Sequence, residues 1–407
     1  MSFKVSKEVK IVSWSTAVLW FGWGFGESLI PVFLYQFANS YAETGLLKSA
    51  FDITALLITP VIGYYADKVS IKKMMLVGIG LYLLVAINYY LAGVLACVIF
   101  VVFARILNGF SWPLTCISRE SYICKYTSKN KMARAFGYFD TLGILAWVLA
   151  VCLSLFLVSK FAIHQLLFLI APAAIISFII ALFLPNGTKL KKIKNLKFNL
   201  KPYKEVIREV LRWPLKLRTV VLSSFLISFV SSAFFFFIPI EVWKVNSDLK
   251  QIIILAIFYS LPEASGNLLG WVIDRIKINR SLIISFVGIL IVLVCSIFFD
   301  SFLWRLSALI LVGIFVEAIA LSRRQLIADF NIKNDYLIIK THYGFGGISA
   351  VLDEITSLGG FIGIILIGII IDSVNWSTAL ILMSLILIFV FGFFVKNNII
   401  NKKDLTV

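Results

Sequence analysis

The chain is 407 residues long and 60% hydrophobic, with 36 phenylalanines and a mean hydropathy of +0.98, a composition outside the range of water-soluble globular domains. Its net charge of +17 rests on 38 lysines and arginines against 21 acids, so the placement of those cations decides whether their counterpart is nucleic acid or membrane. The five cysteines, Cys97, Cys116, Cys124, Cys152 and Cys295, share no paired or metal-like spacing. They read as small hydrophobes. With His164 and His342 the only histidines, no metal site and no cofactor is expected.

A membrane helix needs about 20 mostly apolar residues. On that rule the chain holds twelve spans, over residues 11–36, 45–66, 74–93, 95–118, 135–159, 164–184, 219–241, 251–273, 281–299, 303–321, 344–371 and 377–395. The first is too long for a cleaved leader and contains a glutamate, so no removable targeting segment is expected. With the N-terminus inside, all but six of the 38 lysines and arginines fall in the inner connections. The six are Lys48 and Arg105 within spans, and Lys160, Lys244, Lys250 and Arg305 outside or near the outer face. This asymmetry is the positive-inside pattern, and it predicts a multi-pass protein of the cytoplasmic membrane with both termini in the cytoplasm.

The one long connection runs over residues 185–218 and separates a six-helix bundle at 1–184 from a second at 219–407. Within it Val206, Val210 and Trp213 recur at helical spacing opposite Lys204, Arg208 and Arg212. That pattern predicts a short amphipathic helix on the inner membrane surface, ended by Pro214. Its cations suit anionic lipid headgroups, and no nucleic-acid partner is expected.

A charge at the bilayer centre costs about 2.5–3.5 kcal/mol on insertion scales, so charged spans mark helices that face protein or water. The charges are Glu27 in span one, Lys48 and Asp52 in span two, Arg105 in span four, Asp140 in span five, Glu263 in span eight, Glu317 in span ten, and Asp353 and Glu354 in span eleven. Spans three, six, nine and twelve carry none and are fit to face lipid. Lys48 and Asp52, four residues apart, read as a structural pair. Arg105 has no acid on its own helix. Its partner must come from another span, and Glu27 is the candidate of similar depth, either as a structural pair or as part of a transport path. Glu263, Glu317, Asp353 and Glu354 share their span interiors with no lysine or arginine. Such acids are protonated and hydrogen-bonded, line water, or bind cations. Glu317 is expected to carry a coupling proton, with a permanently protonated structural carboxyl as the alternative. Gly344, Gly346, Gly347, Gly359, Gly360 and Gly363 make span eleven read as loosely packed and deformable.

One stretch occurs twice. Gly63-Tyr-Tyr-Ala-Asp67-Lys68-Val-Ser70-Ile-Lys72-Lys73 returns as Gly270-Trp-Val-Ile-Asp274-Arg275-Ile-Lys277, with both glycine and aspartate displaced by 207 residues. That is about half the chain and indicates an internal duplication. A glycine four residues before the acid would let two membrane helices approach closely.

This Gly-x-x-x-Asp-basic turn, after the second span and again after the eighth, resembles the loop motif of the major facilitator superfamily. Gly63, Asp67, Lys68, Lys72 and Lys73 carry the first copy, in which Ser70 and Ile71 replace the family's second glycine and its following arginine. Gly270, Asp274 and Arg275 carry the second. Arg105-x-x-x-Gly109 resembles a fourth-helix motif of proton-coupled members. Arg134-Ala-Phe-Gly137-Tyr-Phe-Asp140-Thr-Leu-Gly143 is similar to the fifth-helix entry of a prokaryotic branch, although Ala146-Trp147 stand where drug antiporters have Gly-Pro. The resemblance implies an all-α integral membrane protein, twelve transmembrane helices in two pseudo-symmetric six-helix bundles, acting as a monomer. It implies a secondary active transporter that moves a small-molecule substrate by alternating access, with protons as the coupling ion. A facilitative uniporter and a multidrug exporter are the alternatives within the fold. It further implies a gating role for the paired motif, with Asp67 and Asp274 latching the cytoplasmic face against helix starts near spans eleven and five. Asp140, near the inner end of span five, either closes that face or carries protons. A channel would need a repeated pore-lining filter, and an enzyme a nucleophile–base pair, a metal motif or a phosphate loop. The sequence contains neither, and no catalytic residues are expected.

Overall fold

The computed structural model describes residues 6–66, 69–127, 132–185, 215–264, 266–276, 278–333 and 345–400. Among them every regular element is a helix: α1 (Lys7–Gly24), a 3-10 turn (Glu27–Leu29), α2 (Ile30–Phe37), α3 (Tyr41–Ala66), α4 (Ile71–Leu95), α5 (Val98–Tyr126), α6 (Met132–Leu157), α7 (Ile163–Phe168), α8 (Ile170–Leu182), α9 (Leu215–Asn246), α10 (Leu249–Ala264), α11 (Gly266–Ile276), α12 (Ile278–Phe298), α13 (Phe302–Lys333), α14 (Phe345–Ser373) and α15 (Trp376–Ile400). Eleven described stretches are long and apolar enough to cross a membrane. Within the span expected over 251–273, α10 and α11 lie on either side of residue 265, which is outside the described residues. Pro262 lies inside α10, where it removes a backbone donor and crowds the preceding turn. The amphipathic segment expected at 203–213 lies outside the described residues.

The chain forms two compact units. The first comprises residues 1–39, 46–199 and 242–257. Within it α1 packs against α6 and α8, and α4 against α5 and α8. Ser15 on α1 is hydrogen-bonded to both the carbonyl and the hydroxyl of Ser177 on α8, each at 2.9 Å. Buried aromatic pairs meet edge to face, Trp23 with Tyr82 at 5.6 Å and Phe33 with Tyr89 at 5.9 Å between ring centroids. That is the arrangement the ring quadrupoles favour.

The first span is not continuous. Behind Ser6, whose hydroxyl accepts from the Val9 N–H, α1 runs only to Gly24, and one 3-10 turn leads into α2. Gly24 lies so near α6 that a Cβ there would sit 2.6 Å from the Trp147 carbonyl oxygen. Pro31 occupies the opening turn of α2, where its missing donor costs little. Glu27 therefore stands at an interruption of the helical ladder. Such backbone is tolerated at membrane depth where protein or a water-lined cavity satisfies it.

The second unit comprises residues 40–45, 200–241 and 258–407. Here α12 packs against α13 and α15, α11 against α13, and α14 against α15. Its α9 and α14 touch backbone to backbone, because a Cβ at Gly359 or Gly363 would overlap the Phe225 or Phe229 carbonyl oxygen. The first turn of α3 belongs to this unit. Asp372, at the end of α14, accepts the Tyr41 and Ala42 N–H groups at 2.9 and 2.8 Å, so a carboxylate from another helix caps the free donors at the positive end of α3. The Tyr41 hydroxyl also donates to Glu241.

The four charge-free spans carry exposed apolar residues at helical spacing: Val77 and Leu84 on α4, Ile175 and Ile179 on α8, Ile284, Val287 and Ile291 on α12, and Ile381, Leu385 and Ile388 on α15. Stripes of this kind on otherwise buried helices are fit to face lipid chains.

Candidate solute site in the first unit

The charged groups of the first unit gather where α3, α4 and α5 meet. Gly109 permits the approach of α3, since a Cβ there would lie 2.8 Å from the Phe51 carbonyl oxygen. One turn away Arg105 is buried, 4% exposed. Its terminal nitrogens donate to the Tyr89 hydroxyl at 3.3 Å and to the Lys48 carbonyl at 3.2 Å. Its guanidinium also lies over the Phe51 ring, 4.9 Å from the centroid, a favourable cation–π distance. Its Nε is buried without an acceptor among the described residues. An unfilled charged donor in a low-dielectric interior is costly.

Lys48 Nζ donates to both carboxylate oxygens of Asp52, at 2.6 and 2.7 Å. One turn of α3 thus brings the two together. Glu27, exposed at the surface of the unit, accepts from the Trp147 indole N–H at 2.8 Å. The Trp147 carbonyl is also where Gly24 makes its close approach. The expected direct pairing of Glu27 with Arg105 is not formed: among the described residues Arg105 is held by a phenol, a carbonyl and a ring, and Glu27 by an indole. The cluster therefore offers an incompletely satisfied cation, a neutralised pair, and a carboxylate on an interrupted helix.

The other sequence-derived residues are spread through the molecule. Asp140 is exposed on α6 and Glu317 is half-buried on α13, and both have interaction partners. The side chains of Glu263, Asp353 and Glu354 lie outside those described, as do Asp67, Lys68 and the side chains at Gly270 and Asp274. A Cβ at Gly63 would meet nothing within 4 Å among the described residues. Lys72 Nζ donates to the Leu182 carbonyl at 2.6 Å, supplying a cation to the negative end of α8. Arg275 lies over the Trp271 ring, 3.7 Å from its centroid.

Sequence reasoning missed two residues. Trp147 was visible only as a departure from the drug-antiporter pattern. Arg119, one residue beyond the fourth span expected at 95–118, lies inside α5 and is 4% exposed.

The sequence model of the Major Facilitator Superfamily matches residues 12–333. The quinolone resistance protein NorA of Staphylococcus aureus is 22% identical over 231 residues, 56% of this chain and 57% of that protein. Multidrug resistance protein 2 of Bacillus subtilis is 27% identical over 121 residues, 30% of each chain. The aligned stretches thus span little more than half, or less, of the length of these curated relatives. The crystal structure of the nucleoside transporter NupG superposes on 96% of this chain and 99% of its own at a TM-score of 0.75, with 15% identity. An all-helical chain of membrane-spanning length, this fold, and a family match over most of its residues lead to one conclusion: the chain belongs to the major facilitator superfamily.

Proposed function

We propose that this protein is a secondary active transporter of the cytoplasmic membrane, moving a small solute by alternating access and coupled to protons. The observation that carries the proposal is Arg105: an arginine buried in a membrane span, with one donor unfilled, beside a neutralised Lys48–Asp52 pair. Charges inside membrane spans mark solute and ion paths, and family membership supplies the transport class. In this reading Arg105 engages the solute and the Lys48–Asp52 pair steadies α3. Glu27, held by Trp147, fixes the interrupted first span, while Glu317, Glu263, Asp353 and Glu354 are the carboxyls available for protons. Gly63, Asp67, Lys68, Lys72, Gly270, Asp274 and Arg275 form the gating motif, with Asp140 beside the same face. The carrier works as a monomer with both termini in the cytoplasm, and its linker cations rest on anionic lipid.

The test begins with a thermal-shift screen of sugars, amino acids, organic acids, nucleosides and quinolones on the purified chain, because a bound ligand stabilises by mass action. Hits are then assayed in liposomes containing a pH-sensitive dye. A hit is expected to change the lumen pH as it moves, and Arg105→Gln to lower transport at least tenfold. Glu317→Gln is expected to abolish gradient-driven accumulation while leaving solute exchange. Solute flux without any proton flux would replace this reading with a uniporter. A multidrug exporter is the second reading, favoured by the resistance proteins among the relatives. It predicts that expression in a quinolone-sensitive host raises the tolerated drug concentration several-fold.

A further inference from the structure

Arg119 is the second buried cation on α5. It lies fourteen residues after Arg105, which is about four helical turns or roughly 21 Å along the axis. The two therefore lie on nearly the same side of the helix. Two other buried or half-buried cations meet carboxylates, Lys48 at Asp52 and Arg305 at Asp300, whereas Arg105, like Arg119, has none among the described residues. Arg119 makes no ion pair with any described residue. Its Nε donates to the Thr115 carbonyl at 3.1 Å and one terminal nitrogen to the Cys116 thiol at 2.9 Å. That uses two of the five guanidinium donors, one of them on sulfur, a weak acceptor.

The rest of its surroundings are aromatic. The guanidinium carbon lies 5.8 Å from the Trp20 ring centroid, 5.8 Å from Trp112 and 5.9 Å from Phe139. Three separate helices build this cage. Trp20 on α1 rests against α6 because Gly143 is bare, a Cβ there falling 2.6 Å from the indole. Trp20 in turn meets Phe139 edge to face at 6.2 Å. Trp112, one wall of the cage, is 44% exposed although Arg119 beside it is 4% exposed. Ring faces offset part of the cost of burying a cation but fill none of its forked donor geometry. A planar fork with open donors matches a carboxylate or another planar oxyanion. The indole and phenyl walls match an apolar or aromatic body attached to it.

We infer that Arg119, Trp20, Trp112 and Phe139 form a binding station for an organic anion that carries an aromatic or apolar group, and that the transported solute belongs to that class. The station deepens the carrier reading, on which the word "transported" depends, while the binding itself does not. Phenylacetate and 4-phenylbutyrate are suitable probes, with 2-phenylethanol and phenethylamine as neutral and cationic counterparts of similar size. Trp20 and Trp112 report directly through tryptophan emission of the purified full chain in detergent.

The expected result is a saturable emission change with both carboxylates, at Kd of about 1 mM or tighter, and at least tenfold weaker binding of the alcohol and the amine. Arg119→Gln should weaken carboxylate binding at least tenfold. Arg119→Lys should fall between, since it keeps the charge and loses the fork. If Arg119→Gln does not yield folded protein, Trp20→Phe/Trp112→Phe retains the arginine. It should abolish the emission change while a carboxylate-dependent rise in melting temperature persists. Equal binding of acid, alcohol and amine, an unaltered response in Arg119→Gln, or no saturable response to either carboxylate would overturn the proposal. Loss of carboxylate binding leaves the carrier reading standing, and proton-uncoupled liposomes leave the anion station standing.

Discussion

At the scale of single residues, the Lys48–Asp52 pair shows how a membrane helix tolerates charge. The side chains are 25% and 16% exposed, between an open surface pair, worth about 0–1 kcal/mol, and a fully buried one, whose breaking costs about 3–5 kcal/mol. Asp52→Asn should therefore lower stability by about 1–3 kcal/mol, because it strands the Lys48 ammonium among apolar groups beside Arg105. Lys48→Met/Asp52→Leu should recover most of that loss, since it removes both desolvation costs. Thermal melting of the three proteins in detergent makes the comparison, and a double variant as unstable as the single one would show that the pair does more than neutralise itself. The spacing of these two residues on one helix face was legible in the sequence. The partner of Arg105 was not. Hydropathy gives depth along a span but not the direction a residue faces once helices pack, so Glu27 and Arg105 stood at matching depth while their hydrogen bonds went to Trp147, Tyr89 and the Lys48 carbonyl. Arg119 escaped for a related reason: it lay one residue beyond the expected end of the fourth span, whereas Trp20 and Phe139 from other helices and Trp112 from its own enclose it.

At the scale of elements, α14 corrects the expectation of a loose helix. Gly359 and Gly363 are four residues apart, and each replaces a side chain at a point where the α9 backbone, at Phe225 and Phe229, comes into contact. Small residues at this spacing allow close van der Waals packing between membrane helices. The glycines that suggested slack make one of the tightest contacts in the second unit. The composition alone could not distinguish these cases, because the same residue either leaves space or lets a neighbour fill it. Gly363→Ala should push α9 and α14 apart, since a carbonyl cannot turn aside as a side chain can, and should cost about 1–3 kcal/mol as overpacking does. Gly392→Ala on α15 is the control. A Cβ there meets nothing within 4 Å among the described residues, and alanine is the better helix former. A melting temperature lowered by Gly363→Ala and unchanged or raised by Gly392→Ala is the expected pattern, and equal effects would show that close approach is not what holds these helices together.

At the scale of the whole molecule, hydropathy and the 207-residue repeat carried most of the architecture, because lipid imposes a length and a polarity on every crossing segment. The side of the membrane rests on the lysine and arginine distribution alone, and it has a direct check. Between Thr127, just after α5, and Val245, near the end of α9, the chain contains α6, the α7–α8 pair and α9. That is three described crossings, an odd number, so with the 185–218 connection kept on one face the two positions lie on opposite faces. The inner connections hold most of the cations, which assigns Thr127 to the cytoplasm and Val245, 66% exposed, to the outside. In a variant lacking the five native cysteines, Val245→Cys should react with a membrane-impermeant maleimide on intact cells. Thr127→Cys should react only after permeabilisation. Labelling of both from the same face would remove one crossing from this stretch and overturn the twelve-span arrangement, whereas exchanged labelling would keep the crossings and reverse the orientation. The second outcome would also reverse which end of the Arg105–Arg119 stripe a solute meets first. Sidedness is thus the measurement that gives direction to a solute meeting both Arg105 and Arg119 on α5.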